Sequence, residues 1–154
     1  MAHALNLVLK LKQDAQSQAA LQELKSTFAQ GIQQDIDKAL RESQIVHFAR
    51  VLVIEDKYLL VITEYDGGHR EYTDFFRRSL PHVFEKLFAL TEGAPSWSQL
   101  DNENAFFGAA KDKNLRSLGN SDHGDQGVDG KLAGYLFSAY GEREVKEILP
   151  KLAL

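Results

Sequence analysis

Residues 45–66 read IVHFARVLVIEDKYLLVITEYD, two apolar runs (Ile45 to Ile54 and Tyr58 to Tyr65) parted only by the polar Glu55-Asp56-Lys57. Short runs rich in valine, isoleucine and aromatics around such a break describe two β-strands joined in a hairpin. The turn has no Asn-Gly pair to set its length, so the register has to be counted. A two-residue turn at Glu55-Asp56 places His47 opposite Glu64, and one at Asp56-Lys57 places it opposite Asp66. Both registers set His47 on one face with Glu64 and Asp66. A three-residue loop or a bulge would reverse the parity.

Working outward, Leu5, Leu7, Leu9 and Leu11 alternate with Asn6, Val8, Lys10 and Lys12, the period of a first strand. From Asp14 to Ser43 the period becomes helical, with Leu21, Leu24, Phe28, Ile32, Ile36 and Leu40 on one stripe and Gly31 as a weak point within it. Beyond the hairpin, Tyr72, Phe75, Phe76, Val83, Phe84, Leu87 and Phe88 form a second helical stripe. Pro81 interrupts it, which predicts a break near Ser79 with Ser79 capping the following helix. Eight of the 11 glycines fall between Gly93 and Gly141. There the sequence predicts a short helix over 101–110, a loop over 119–131, a last strand over 132–140 and a terminal helix over 142–154.

The resulting order is that of an α+β, ferredoxin-like fold: βαββαβ, a four-stranded antiparallel sheet with helices on one face and an extra C-terminal helix. Residues 1–154 then form a single domain with an insertion at about 93–130. A chain of 154 residues can bury one sizeable core. With 18 basic and 22 acidic residues it carries a net charge of −4, an unfavourable balance for nucleic acid or anionic membranes. There are no cysteines, hence no disulfide scaffold, thiolate metal site or cysteine nucleophile. The longest apolar run, Tyr58 to Ile62, is far too short for a membrane-spanning helix, and Lys10 and Lys12 break up the only apolar N-terminal stretch. A cytoplasmic location is the expectation.

In the counted register one sheet face carries Phe48, Leu52, Ile54, Leu59, Val61 and Tyr65 under the helices, with Arg50 among them. The other carries Ile45, His47, Ala49, Val51, Val53, Leu60, Ile62, Glu64 and Asp66, with Asn6, Val8 and Lys10. That second face is too apolar to be left in water. A second copy of the chain is the simplest cover, giving a homodimer closed as a barrel. The competing cover is the chain's own insertion and terminal helix.

This order of elements resembles the dimeric α+β-barrel superfamily, which includes cofactor-free monooxygenases, haem-degrading enzymes and dye-decolourising-peroxidase-like haem proteins. Residues 46–76, VHFARVLVIEDKYLLVITEYDGGHREYTDFF, are similar to a segment of uncharacterised bacterial proteins, some near peroxidase-like domains. The Gly-x-x-Asp-Gly signature of the dye-decolourising peroxidases is not met. Thr63 precedes Asp66-Gly67 and Gln126 precedes Asp129-Gly130 at the glycine's position, so the resemblance does not imply haem peroxidase activity.

His47 beside Glu64 is the sharpest constellation, a base with a carboxylate to orient it. Asn6, Lys10 and Asp66 would share the pocket. Arg50, placed beneath the helices, must be paired there or bind an anion. His69 and His82 lie too far apart to form a metal pair on one helix, and both read as solvated. Asn120, Asp122, His123, Asp125 and Asp129 miss the EF-hand spacing and read as a solvated loop. No cofactor or metal is implied. The chain reads as a binding or interaction module for a small apolar ligand or a protein partner. The alternative is a small oxidative enzyme, cofactor-free or haem-using, with His47 and Glu64 in the barrel.

Overall fold

The computed structural model describes residues 1–152. In chain order the elements are β1 (Ala2–Lys10), α1 (Ala15–Thr27), a single 3-10 turn (Phe28–Gln30), α2 (Ile32–Ser43), β2 (Val46–Ile54), β3 (Tyr58–Asp66), α3 (His69–Ser79), α4 (Pro81–Ala89), α5 (Trp97–Leu100), α6 (Glu103–Lys113) and α7 (Val145–Leu152). The terminal helix expected over 142–154 is found as α7, and residues 153 and 154 lie outside the described residues. The long first helix is indeed in two pieces, hinged at the 3-10 turn and Gly31. The α3–α4 break falls after Ser79 as Pro81 demands, although Leu80 stands at the cap position and no side chain caps α4.

Among the described residues the four-stranded ferredoxin-like sheet is not present. Three antiparallel strands in the order β1-β3-β2 make up the sheet. Residues 132–140 form no strand, and a physical reason is visible on both sides. Their amides turn to their own loop, Ala133 donating to the Asp125 carbonyl and Tyr135 to the Leu118 carbonyl. The edge of β1 where a fourth strand would add is already engaged. Leu115 donates to Asn6 there, Glu92 donates to Lys10, and Lys12 donates to Leu90. Gly134 is wedged so close to Ser117 that an added Cβ would lie 2.1 Å from the Ser117 carbonyl oxygen, which only a glycine permits.

The hairpin also departs from the counted register. Ile54 pairs with Tyr58, so the loop holds three residues, with Glu55 and Asp56 both left-handed at φ 52° and 54°. α1 and the residues just before it secure this turn: Lys25 bonds the Asp56 carboxylate at 2.9 Å, and Gln13 and Gln18 donate to the Asp56 carbonyl. The three-residue loop reverses the parity of β2, so that Ala49, Val51 and Val53 pair with Thr63, Val61 and Leu59. The helix-covered face therefore carries Leu5, Leu7, Leu9, Leu59, Val61, Thr63 and Tyr65, all 5% exposed or less. Phe48, Arg50, Leu52 and Ile54 lie on the open face instead, and Arg50 is not beneath the helices but exposed opposite Ile62. A bulge between Val46 and Phe48 then reverses the parity a second time. The two irregularities cancel at His47, which reaches Asp66 as the count had it.

β1 and β3 supply the floor of the core, and Leu21, Leu24, Tyr72, Phe76, Val83, Phe84, Leu87, Phe88 and Phe106 the roof. Aromatic rings tie the roof together: Tyr65 stacks on Tyr72 at 3.7 Å, and Phe106 meets Phe84, Phe88 and Trp97 edge-on. β2 stands at the sheet's edge, paired only with β3. No helix among the described residues is long and apolar enough to cross a membrane.

Candidate functional site

Beneath β2 the packing is incomplete. A cavity of about 490 Å³ lies between the sheet and the helices. Val46, Ala49 and Val51 of β2 and Val61 and Thr63 of β3 form its floor. Ile36 and Leu40 of α2 face them, with Phe76, Leu80, Val83, Phe84 and Leu87 from the α3–α4 pair and Val145 and Leu149 of α7 at one end. Ile36 and Leu40, half-buried at the C-terminal end of the 14–43 stripe, pack against the edge of the core and border this hollow. Ala49, the smallest side chain on β2, pairs with Thr63 and leaves the strand's middle unfilled.

Besides His47 and Arg50, which also border the cavity, the polar side chain in this floor is Thr63. It is fully buried, yet its Oγ1 has no hydrogen-bond partner. Tyr72, behind it, is also fully buried with its hydroxyl unpartnered. Burial pushes the Tyr72 phenol well above its ordinary range, and the neighbouring Thr63 hydroxyl offsets only part of this. The Thr63 and Tyr72 hydroxyls lie close to each other, both closed off from solvent.

At the α7 end of the cavity sits His47. Its Nε2 lies 2.8 Å from Asp66 Oδ1 and its Nδ1 2.5 Å from the Tyr140 hydroxyl, whose ring stacks on the imidazole. Asp66 Oδ2 accepts the amide of Val145, the first residue of α7, at 2.8 Å. With His47 neutral, Nε2–H donates to the carboxylate and Nδ1 accepts from Tyr140. Both ring nitrogens are then occupied by the protein. Burial and the nearby carboxylates of Asp66 and Glu64 raise the Tyr140 hydroxyl above its ordinary range.

The other residues expected to build a site are dispersed. Glu64 lies on the open face opposite Phe48 and makes no hydrogen bond to His47 among the described residues. Its Oε2 is buried without a partner, and burial raises its carboxyl against the opposing pull of Arg50 and His47. Asn6 is spent on structure, its amide group donating to the Leu115 carbonyl and the Ser117 hydroxyl. Lys10 faces Glu92 at 3.8 Å on the surface. His69, expected to be solvated, instead joins Tyr65 (2.5 Å) to the Gln126 carbonyl (2.6 Å). Among the described residues no group of three or more His, Asp or Glu side chains is arranged to hold a metal ion. In the 119–131 loop Asp125 accepts from Ser121 and Asp129 from the Lys131 amide.

Tyr140 and Thr63 are the site residues that sequence reasoning left out. Tyr140 stands 93 positions from His47 in an irregular segment, with no local pattern to connect them. Thr63 had a signal, a hydroxyl among strictly apolar residues on the inward face of a central strand.

No family model, curated protein or solved structure matches this chain.

Proposed function

We propose that the protein is a binding module whose apolar cavity takes a small ligand. The supporting observation is a hollow of about 490 Å³ walled mainly by aliphatic and aromatic side chains, with its charged neighbours Asp37, Arg41 and Arg50 exposed to solvent. This volume falls in the range of small-molecule sites, which are chiefly apolar with a few placed polar groups. The oxidative alternative draws less from the geometry, because both nitrogens of His47 are engaged and Glu64 does not bond it.

Titration with diphenylhexatriene, a probe that fluoresces in apolar surroundings and has no polar atoms, tests the reading. The expected result is one saturable site. Val51→Trp on the floor and Leu40→Trp on the roof each weaken it at least tenfold, while Tyr58→Ser on the open face leaves it unchanged. A wild-type protein with no saturable signal, or tryptophan variants that still fold and bind as wild type, would overturn it.

The open face supports a second reading, a homodimer. Phe48 is 68% exposed, Ile54 43% and Tyr58 40%, a concentration of apolar surface that favours cover. Arg50 and Glu64 on the same face supply charges of opposite sign that a two-fold pairing can juxtapose. Light scattering on wild type and Phe48→Glu decides it: a dimer that dissociates in the variant supports the pairing, and a wild-type monomer rules it out.

A further inference from the structure

Resting on the same hollow as the reading above, we infer that the chain docks an extended segment of a partner protein. The segment adds as a fourth strand along the free edge of β2, with alternate apolar side chains entering the hollow and an acidic side chain between them meeting Arg50. Six consecutive residues of β2, Val46 to Val51, border the hollow. Strand side chains alternate between faces, so an unbroken run borders one space only where the edge of the strand faces it. That edge is unpaired. β2 has β3 on one side, and among the described residues no main-chain group of 46–53 bonds any other element. The opposite wall is α2, which borders the hollow from Gln33 through Ile36, Asp37 and Leu40 to Gln44, the spacing of one helix face. A strand edge set in an apolar hollow beside a helix calls for main-chain donors and acceptors at strand spacing. An extended peptide supplies them and a compact ligand does not.

Charge decides the rest of the occupant's chemistry. Side chains of the added strand that point toward the helices meet Ile36, Leu40 and Val51. Those between them join the open face beside Arg50, which is exposed and has no ion pair among the described residues. The other charges bordering the hollow are already matched: Asp37 and Arg41 bond each other at 3.1 Å, and His47 is held between Asp66 and Tyr140. Glu64 shares the open face with Arg50 but stands on β3. The added strand lies about 4.8 Å from β2 and about twice that from β3, so Arg50 acts on it more strongly than Glu64 does. A carboxylate beside Arg50 is therefore favoured over an ammonium. A second copy of the chain fits less well. Pairing two β2 strands about a two-fold axis at their midpoint sets Arg50 against Arg50, and it brings a second α2 to a groove that α2 already walls.

The test is fluorescence anisotropy of a fluorescein-labelled peptide, Val-Glu-Val-Glu-Val, and its lysine counterpart, Val-Lys-Val-Lys-Val, on wild type and Arg50→Glu. The glutamate peptide should bind wild type saturably and at least tenfold more tightly than the lysine peptide, and Arg50→Glu should reverse that order. Methylating the peptide nitrogens of the valines, or separately those of the glutamates, should abolish binding in one set only, because alternate residues turn their amides toward β2. Binding that survives both methylated sets, or a peptide order unmoved by Arg50→Glu, overturns the inference. A wild-type protein that takes diphenylhexatriene but neither peptide also overturns it and leaves the cavity reading standing, whereas one that takes none of the three overturns both. A dimer in light scattering that persists in Phe48→Glu and excludes the peptide would assign the edge to a second copy and overturn the inference as well.

Discussion

Residues 2–113 and residues 114–144 are built on different principles. In the first region there are twenty-one buried apolar side chains, most of them from strands and helices whose periodicities align them on common faces. In the second, Val128 is the only buried apolar side chain, and Leu118 and Phe137 stand 90% and 85% exposed. What orders the second region is polar. The Arg116 guanidinium donates to the carbonyls of Leu132, Ser117, Gly119 and Ala133 and to Asn120. Two Tyr–His pairs tie it to the sheet, Tyr65–His69 through Gln126 and Tyr140–His47 through Asp66. The contrast shows that burial organises the body of the molecule, while a few directional bonds tie the irregular segment to it.

The contrast breaks most visibly in the core. Phe106→Ala removes a ring that touches Phe84, Phe88 and Trp97 and should cost about 3–5 kcal/mol, read from urea unfolding. Next comes the junction of the two regions. Asp66→Ala orphans the His47 Nε2–H and the Val145 amide, both buried, and should cost about 2–3 kcal/mol with loss of the α7 contribution to helical circular dichroism. Arg116→Ala should change global stability by less than about 1 kcal/mol, because its bonds are solvent-exposed, yet hydrogen exchange at Ala133 and Tyr135 should accelerate at least tenfold. An Arg116→Ala protein that unfolds as a whole would show that the loop layer is part of the core after all.

The smallest effect concerns Glu64. Its folded carboxyl is raised above the ordinary 4.5 by burial, so the folded state binds this proton more tightly than the unfolded chain. Stability from this group is greatest below 4.5 and declines as pH rises through the raised value. Glu64→Gln should flatten that decline and be slightly more stable than wild type at neutral pH. Thermal midpoints across the acid range check the sign.

The body of the fold is legible in the sequence because its signals are local and repeated. Leu5 to Leu11 alternate along β1, Leu21 to Leu40 recur at helical spacing, and Pro81 cannot continue α3. The hairpin loop and the bulge at His47 are not legible, because Glu55 and Asp56 adopt left-handed conformations that neither residue type announces. The fourth strand fails for a similar reason: alternation in 132–140 suits a strand, but the edge it would join is occupied by Thr91 and Asn114, whose pairing with β1 has no signature. Of the expected site, His47 and Asp66 meet, Glu64 stands nearby without bonding His47, and Asn6, Lys10 and Arg50 serve elsewhere.

β2 runs nine residues with a neighbour on one side only, no proline, and Arg50 as its single formal charge. Half of its main-chain donors and acceptors point away from the sheet, the arrangement that templates another extended chain. When heat loosens the helices beside it, this is the line along which molecules would begin to polymerise, and Arg50 is the gatekeeper that slows them.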